Sequence, residues 1–197
     1  LEAASREAKS LGATHVELRQ SEPLPIDWRC KDHKVSMRLS LPNDFQALMK
    51  AFPSKLRSQI RRPQKEGMTA RVGGIELLDE FYGVFSRNMR DLGTPVYGKA
   101  FFRTILETFP KETAVCSVSW NGNVAAAGLV YTFREVMEIP WASSDRRYDG
   151  LSPNMLFYST VLEYACQHGS KVFDFGRSTV DSGTYRFKEQ WGAQPHQ

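Results

Sequence analysis

Three stretches rich in strand-forming residues follow one another almost without interruption: Ala114 to Trp120, Val124 to Phe133 and Val136 to Trp141. Between the first two sits Asn121-Gly122, and these two residue types tolerate the positive φ that primed hairpin turns require. Such an order predicts an antiparallel meander. A helical stretch from about Ser152 to His168, stopped by Gly169, then leads to a further strand at Lys171 to Phe175. Strands running together and then crossing by one helix to another strand place the chain in the α+β class, with a mixed sheet flanked by helices.

Upstream, Leu1 to Leu11 has helical spacing, Gly12 stops it, and His15 to Arg19 reads as a short strand. Ser21 to Asp32, with Pro23 and Pro25, reads as a linker. Val35, Met37, Leu39 and Leu41 alternate with polar residues, as in a strand with one buried face. Asn43 is placed to cap a helix through Lys50, and Ser54 to cap a second one that Pro63 should bend or end. Met68 to Val72 is a predicted strand, followed by amphipathic helices at Leu77 to Arg90 and Lys99 to Phe109.

The helix, glycine, strand order around Gly12 recurs around Gly169, one domain length later. Either it recurs by chance or the chain carries a tandem duplication. On the second reading residues 1–20 are the last helix and strand of a first domain, 21–34 a linker, and 35–197 the second domain. The opening Leu in place of Met fits a start inside a longer chain.

With 197 residues, of which 41% are hydrophobic and 24% charged, the chain has enough apolar material for an ordinary core. A net charge of +4 gives a mild bias toward anionic partners and no more. Cys30, Cys116 and Cys166 are far apart and odd in number, which suggests reduced structural residues in a cytoplasmic protein. The longest apolar run, Val124 to Tyr131, is far short of the roughly 20 residues that span a bilayer. His15, His33, His168 and His196 are too scattered to argue for a metal, and no metal site is expected. Gly-x-Ser-x-Gly, His-Glu-x-x-His and Gly-x4-Gly-Lys patterns do not occur.

Two constellations carry chemistry. The first is Arg147-Tyr-Asp-Gly150-Leu-Ser152, between the third meander strand and the long helix. Acyl-CoA-dependent N-acetyltransferases carry Arg/Gln-x-x-Gly-x-Gly/Ala there, where backbone amides and the helix dipole hold a pyrophosphate. Here the last position is Ser152, whose Cβ hinders close approach, and Pro153 removes an amide donor; the competing reading is a serine N-cap with proline at N1. The second is the closing block, Phe173-Asp-Phe-Gly-Arg-Ser178 and Gly183-Thr-Tyr-Arg-Phe-Lys-Glu-Gln-Trp-Gly-Ala193. Phe187 and Trp191 share one helix face as anchors, while Tyr185 and Lys188 share the adjacent face. Asp174 and Arg177 lie at a strand end, either as a structural ion pair or as part of a site.

Lys55-Leu-Arg-Ser-Gln-Ile-Arg-Arg62, Ile139-Pro-Trp-Ala-Ser-Ser144, Pro153-Asn-Met-Leu156 and the block from Phe173 to Pro195 together resemble FemAB-like proteins. The likeness covers about Val35 to Gln197 and runs closest to the branch associated with exosortase and PEP-CTERM systems. The resemblance implies a pair of domains of the GCN5-related N-acetyltransferase (GNAT) kind, and amide-bond formation on an amine. The implied donor is acyl-CoA or aminoacyl-tRNA, and the implied acceptor a small molecule or a precursor of the cell envelope, peptidoglycan or exopolysaccharide. Asp174 is then expected to accept the amine's proton and Tyr185 to act as acid. Backbone amides near Trp141 to Ser143 would serve the oxyanion. Arg57, Arg61, Trp141, Ser143, Arg147, Asn154, Arg177 and Lys188 are the expected substrate contacts. Arg57 and Arg61, four apart beside Arg62 and Lys65, read as a phosphate contact to an acceptor or to tRNA, or as a solvated basic face. The alternative to an enzyme is a non-catalytic binding module of the same fold for a phosphate-containing or nucleic-acid ligand.

Overall fold

The computed structural model describes residues 2–18 and 33–196. Most of the expected linker, together with Arg19 and Cys30, lies outside the described residues. Helix α1 (Glu2–Ser10) forms as its spacing predicts, yet none of its residues is buried. His15 to Leu18 form no strand, a departure from expectation with a simple cause: among the described residues no neighbouring strand pairs with them.

Seven strands build one sheet. They are β1 (Lys34–Ser40), β2 (Thr69–Gly73), β3 (Thr113–Trp120), β4 (Asn123–Phe133), β5 (Val136–Ser144), β6 (Val172–Thr179) and β7 (Gln194–His196). Their spatial order is β2-β3-β4-β5-β6-β1-β7. The meander β3-β4-β5 turns at Asn121 and Gly122, whose φ values of +48 and +75 are those a primed turn needs. β1 inserts between β6 and β7, antiparallel to both. Sequence reading found β1 from its alternation but not its neighbours, and it missed the three-residue β7 altogether.

The helices are α2 (Phe45–Ala51), α3 (Ser54–Lys65), α4 (Leu78–Asp91), α5 (Lys99–Thr108), α6 (Pro153–Gln167) and α7 (Gly183–Glu189). Asp44 rather than Asn43 caps α2, because its carboxylate accepts from the Gln46 and Ala47 amides while Asn43 accepts from Lys171. Pro53, not Ser54, precedes α3, and Pro63 is absorbed in the last turn, where the helix runs only two residues further.

Alternate residues of β3 and β4 feed two cores. Ala114, Cys116, Ala126 and Val130 join α3 and α6 on one face, whereas Val115, Ala127 and Leu129 join α4 and α5 on the other. Nine residues of α6 are buried, which makes it the central helix of its layer. Gly128 lets it settle onto the sheet: a Cβ there would lie 2.5 Å from the Phe157 ring and 2.8 Å from the Trp141 carbonyl. Phe187 of α7 and Trp191, which lies just past the helix end rather than on its face, both pack against Tyr158 of α6 and anchor the helix there.

Candidate active site

The feature that shapes the site is the pairing of β5 with β6. The strands run parallel and pair at Val136 with Val172, Met137 with Phe173 and Glu138 with Asp174, and there the pairing ends. Both continue, to Ser144 and Thr179, without each other. Each is irregular at the parting. On β5, Ile139 and Pro140 occupy the interval where β4 supplies only Val130, a bulge at which proline removes an amide. On β6, Gly176 has φ +75 where the register with β1 shifts. The result is an open wedge in the sheet.

At its vertex Asp174 is buried and already well served. Its carboxylate accepts from Ser36 Oγ at 2.5 Å, Arg38 Nε at 2.9 Å and the Gly176 amide at 2.8 Å. Its ion-pair partner is thus Arg38 of β1, not Arg177, which is exposed. Beside it in register stands Glu138, half-buried, which accepts a hydrogen bond from the Tyr131 hydroxyl. Burial, reinforced by that bond to Glu138 and by the nearby charges, pushes the Tyr131 phenol upward in pKa, so it remains the donor. Two carboxylates therefore meet at the vertex, and sequence reading singled out only one of them. Glu138, Tyr131, Ser36 and Arg38 were missed because their convergence depends on register, for which the chain carries no local signal.

Along the open part of β6, Lys188 of α7 is buried and donates from Nζ to the carbonyls of Gly176 at 2.9 Å and Arg177 at 3.1 Å. Burial lowers its ammonium pKa to about 8, with the negative charge of Asp174 opposing the shift. Tyr185, half-buried, lies three residues earlier on the same helix, whose start is capped by Ser182 Oγ accepting from the Tyr185 amide.

Along the open part of β5, Trp141 is held edge-on by Phe101 and Phe102, and Ser143 accepts from Asn88 Nδ2. Just beyond, the buried carboxylate of Asp145 gathers Arg147 and Arg87. Chiefly the hydrogen bonds from Arg147 hold that carboxyl well below the usual carboxylate range. Trp141, Ser143, Asp174 and Lys188 thus line or adjoin the wedge, while Tyr185 packs against the core on the α6 side.

Other expected contacts have local duties. Arg57 donates to the carbonyls of Phe52 and Lys50 and so closes the end of α2, while Arg62 reaches Gly150 O at 2.9 Å. Arg61 is exposed. Asn154, half-buried, is the second residue of α6.

The segment before α6 departs from a pyrophosphate cradle. Arg146–Leu151 form a 3₁₀ helix, in which the Tyr148 amide donates to Asp145 O and the Ser152 amide to Asp149 O. The Arg147 amide is taken by the Asp145 carboxylate at 3.1 Å. Ser152 stands at the N-cap position with Pro153 at the first turn, as one of the two readings expects, but it has φ +54 and its hydroxyl makes no cap bond. The Arg147, Tyr148 and Ser152 amides are thus engaged, with a carboxylate in their midst, and are not free in this conformation to receive a pyrophosphate. Among the described residues no group of three His, Cys, Asp or Glu is placed to hold a metal, and no helix is long and apolar enough to cross a membrane.

A seven-stranded mixed sheet, opened between its parallel pair and backed by a central helix, defines a GNAT-like acyltransferase fold. The chain belongs to the acetyltransferase (GNAT) domain family, whose family model matches residues 52–189. Among solved structures it is similar to FemX, with a TM-score of 0.74 and 14% identity over 98% of this chain and 66% of that one. The C-terminal domain of a putative lysylphosphatidylglycerol synthetase from Agrobacterium fabrum gives 0.62 and 13% over 82% and 58%. The aminoglycoside acetyltransferase AAC(6')-Iy, in complex with a CoA-containing bisubstrate analog, gives 0.53 and 10% over 66% and 92%. The chain therefore spans less than two thirds of the first two structures. No curated protein matches it in sequence.

Proposed function

We propose that this domain transfers an acyl or aminoacyl group to an amine in the wedge between β5 and β6. One observation carries the reading: pairing stops at Glu138 and Asp174 while both strands run on. A wedge of this kind exposes main-chain donors at a sheet opening, where an acyl carbonyl can be received.

The amine nitrogen attacks the carbonyl carbon, the C–N bond forms, and the carbonyl electrons move to oxygen. Backbone amides of Trp141 to Ser143 that do not serve β4 receive that oxyanion. Of the two vertex carboxylates, Glu138 takes the proton released by nitrogen, because Asp174 is committed to three donors. Asp174 then holds β1 and β6 in place around it. On collapse, the bond from carbon to the leaving oxygen or sulfur breaks, and Tyr185 supplies the proton that atom needs. Lys188 supports the open strand of β6 and places positive charge beside it.

The closing block from Phe173 to Pro195 supports a finer placement in the FemAB-like, exosortase-associated branch, preceded by another GNAT-like domain and working in the cytoplasm on a cell-envelope precursor. Both donor classes stay in the reading: membership of the GNAT family supports an acyl-CoA, while the engaged amides of Arg147, Tyr148 and Ser152 hinder a pyrophosphate at that segment. The test is mass spectrometry of products formed by the full-length protein from amine panels with acetyl-CoA or with aminoacyl-tRNA. An amide product is expected. Hydrolysis of the donor alone, with no amide from any amine, would overturn the reading.

A further inference from the structure

On the α4 and α5 face, the open part of β5 forms the floor of a groove of about 190 Å³. Pro140 and Trp141 lie beneath, Phe85 and Met89 of α4 form one wall, and Val96 and Tyr97 of the connection to α5 form the other. No charged side chain lines it. The charges on its helices are engaged elsewhere: Arg87 with Asp145, Arg90 with Asp91, Lys99 with Asp79. Tyr97 is 60% exposed, yet it is ordered by stacking on Phe101 at 4.4 Å and by its carbonyl, which accepts from the Tyr82 hydroxyl.

The groove and the vertex carboxylate share a face. Glu138 pairs with Tyr131 and Trp141 with Leu129 on β4, two residues apart, so both side chains point to the side where Leu129 meets α4 and α5. A nitrogen brought to Glu138 therefore presents its substituent toward Trp141. A cavity of about 150 Å³ suffices for benzene, so this groove has room for one ring with a short stem or a branched aliphatic chain. Its lining offers such a group burial, while the side chains that line it offer a polyhydroxylated one only the Tyr97 hydroxyl and the Trp141 indole N–H as hydrogen-bond partners.

We infer that the acceptor is an amine bearing an aromatic or branched aliphatic group, which seats on Trp141 between Met89 and Tyr97 and is selected there. This rests on the transfer reading for the role of the bound amine. Binding itself is measured without donor.

The probe is phenethylamine, with glucosamine as the polar counterpart, titrated into the protein while the indole N–H signals are followed by NMR. Trp141→Phe assigns the relevant signal. Phenethylamine is expected to shift the Trp141 signal saturably, glucosamine to leave it in place, and Tyr97→Ala to weaken phenethylamine binding several-fold. Phe133→Ala, which alters an exposed side chain away from the groove, should leave the binding unchanged. The inference is overturned if phenethylamine shifts other indoles only, if glucosamine binds as well, or if Tyr97→Ala has no effect. Binding at Trp141 by a protein that forms no amide would refute the transfer reading and leave the apolar amine site standing.

Discussion

Glu138 and Asp174 are the last residues at which β5 and β6 face one another, and their carboxylates are held by different neighbours, Tyr131 on one side and Ser36 with Arg38 on the other. That difference separates their duties. Asp174→Asn should cost about 1–3 kcal/mol, the range for leaving buried hydrogen-bonding groups unsatisfied. Chemical denaturation of the variant checks this, and an unchanged midpoint would mean that the Arg38 and Ser36 contacts contribute nothing.

Lys188 makes stability depend on alkaline pH. Its folded pKa, about 8, lies below the unfolded value of 10.5, so between these two values the unfolded chain binds more protons. Stability contributed by this group therefore rises with pH from about 8 toward 10.5 and is flat below. Lys188→Met should remove that rise. Equal pH slopes for wild type and variant across this window would contradict the burial of the ammonium.

Gly128 should not accept alanine. Its Cβ would meet the Phe157 ring and the Trp141 carbonyl, and overpacking of this kind costs typically about 1–3 kcal/mol. Adding Phe157→Leu should restore part of the loss, because the ring end is one of the two obstacles. Strict additivity of the two changes in thermal denaturation would show that the clash is not with Phe157.

Acetyl-CoA should bind poorly. Calorimetric titration is expected to show no saturable binding below roughly 1 mM, the upper end of common substrate affinities. Tight binding would show that Arg147, Tyr148 and Ser152 release their amides.

The sequence made the meander, the central helix and the anchoring of α7 legible because each rests on local signals: the Asn121-Gly122 turn, Gly169 as a stop, and the apolar rings of Phe187 and Trp191. It also placed Trp141, Asp174 and Lys188 around one opening. What it concealed was everything set by neighbours across the sheet. Local sequence places the cap of α2 at Asn43, and only the fold shows that Lys171 engages that side chain and leaves the cap to Asp44. Asp174 looked available in sequence and is occupied in the fold, since Ser36 and Arg38 arrive from a strand far away along the chain. Glu138 looked like an ordinary polar position on an alternating strand, and only the register with β6 brings it to the vertex.

The most direct test is single-turnover transfer to an amine by full-length wild type and by Glu138→Gln, with donor binding and folding measured in parallel. A general base contributes typically about 10²–10⁴-fold, so the variant should fold and bind donor normally while forming amide at least roughly 100-fold more slowly. Amide formation at the wild-type rate by Glu138→Gln would contradict the assignment of the proton to the carboxylate at the vertex of the wedge.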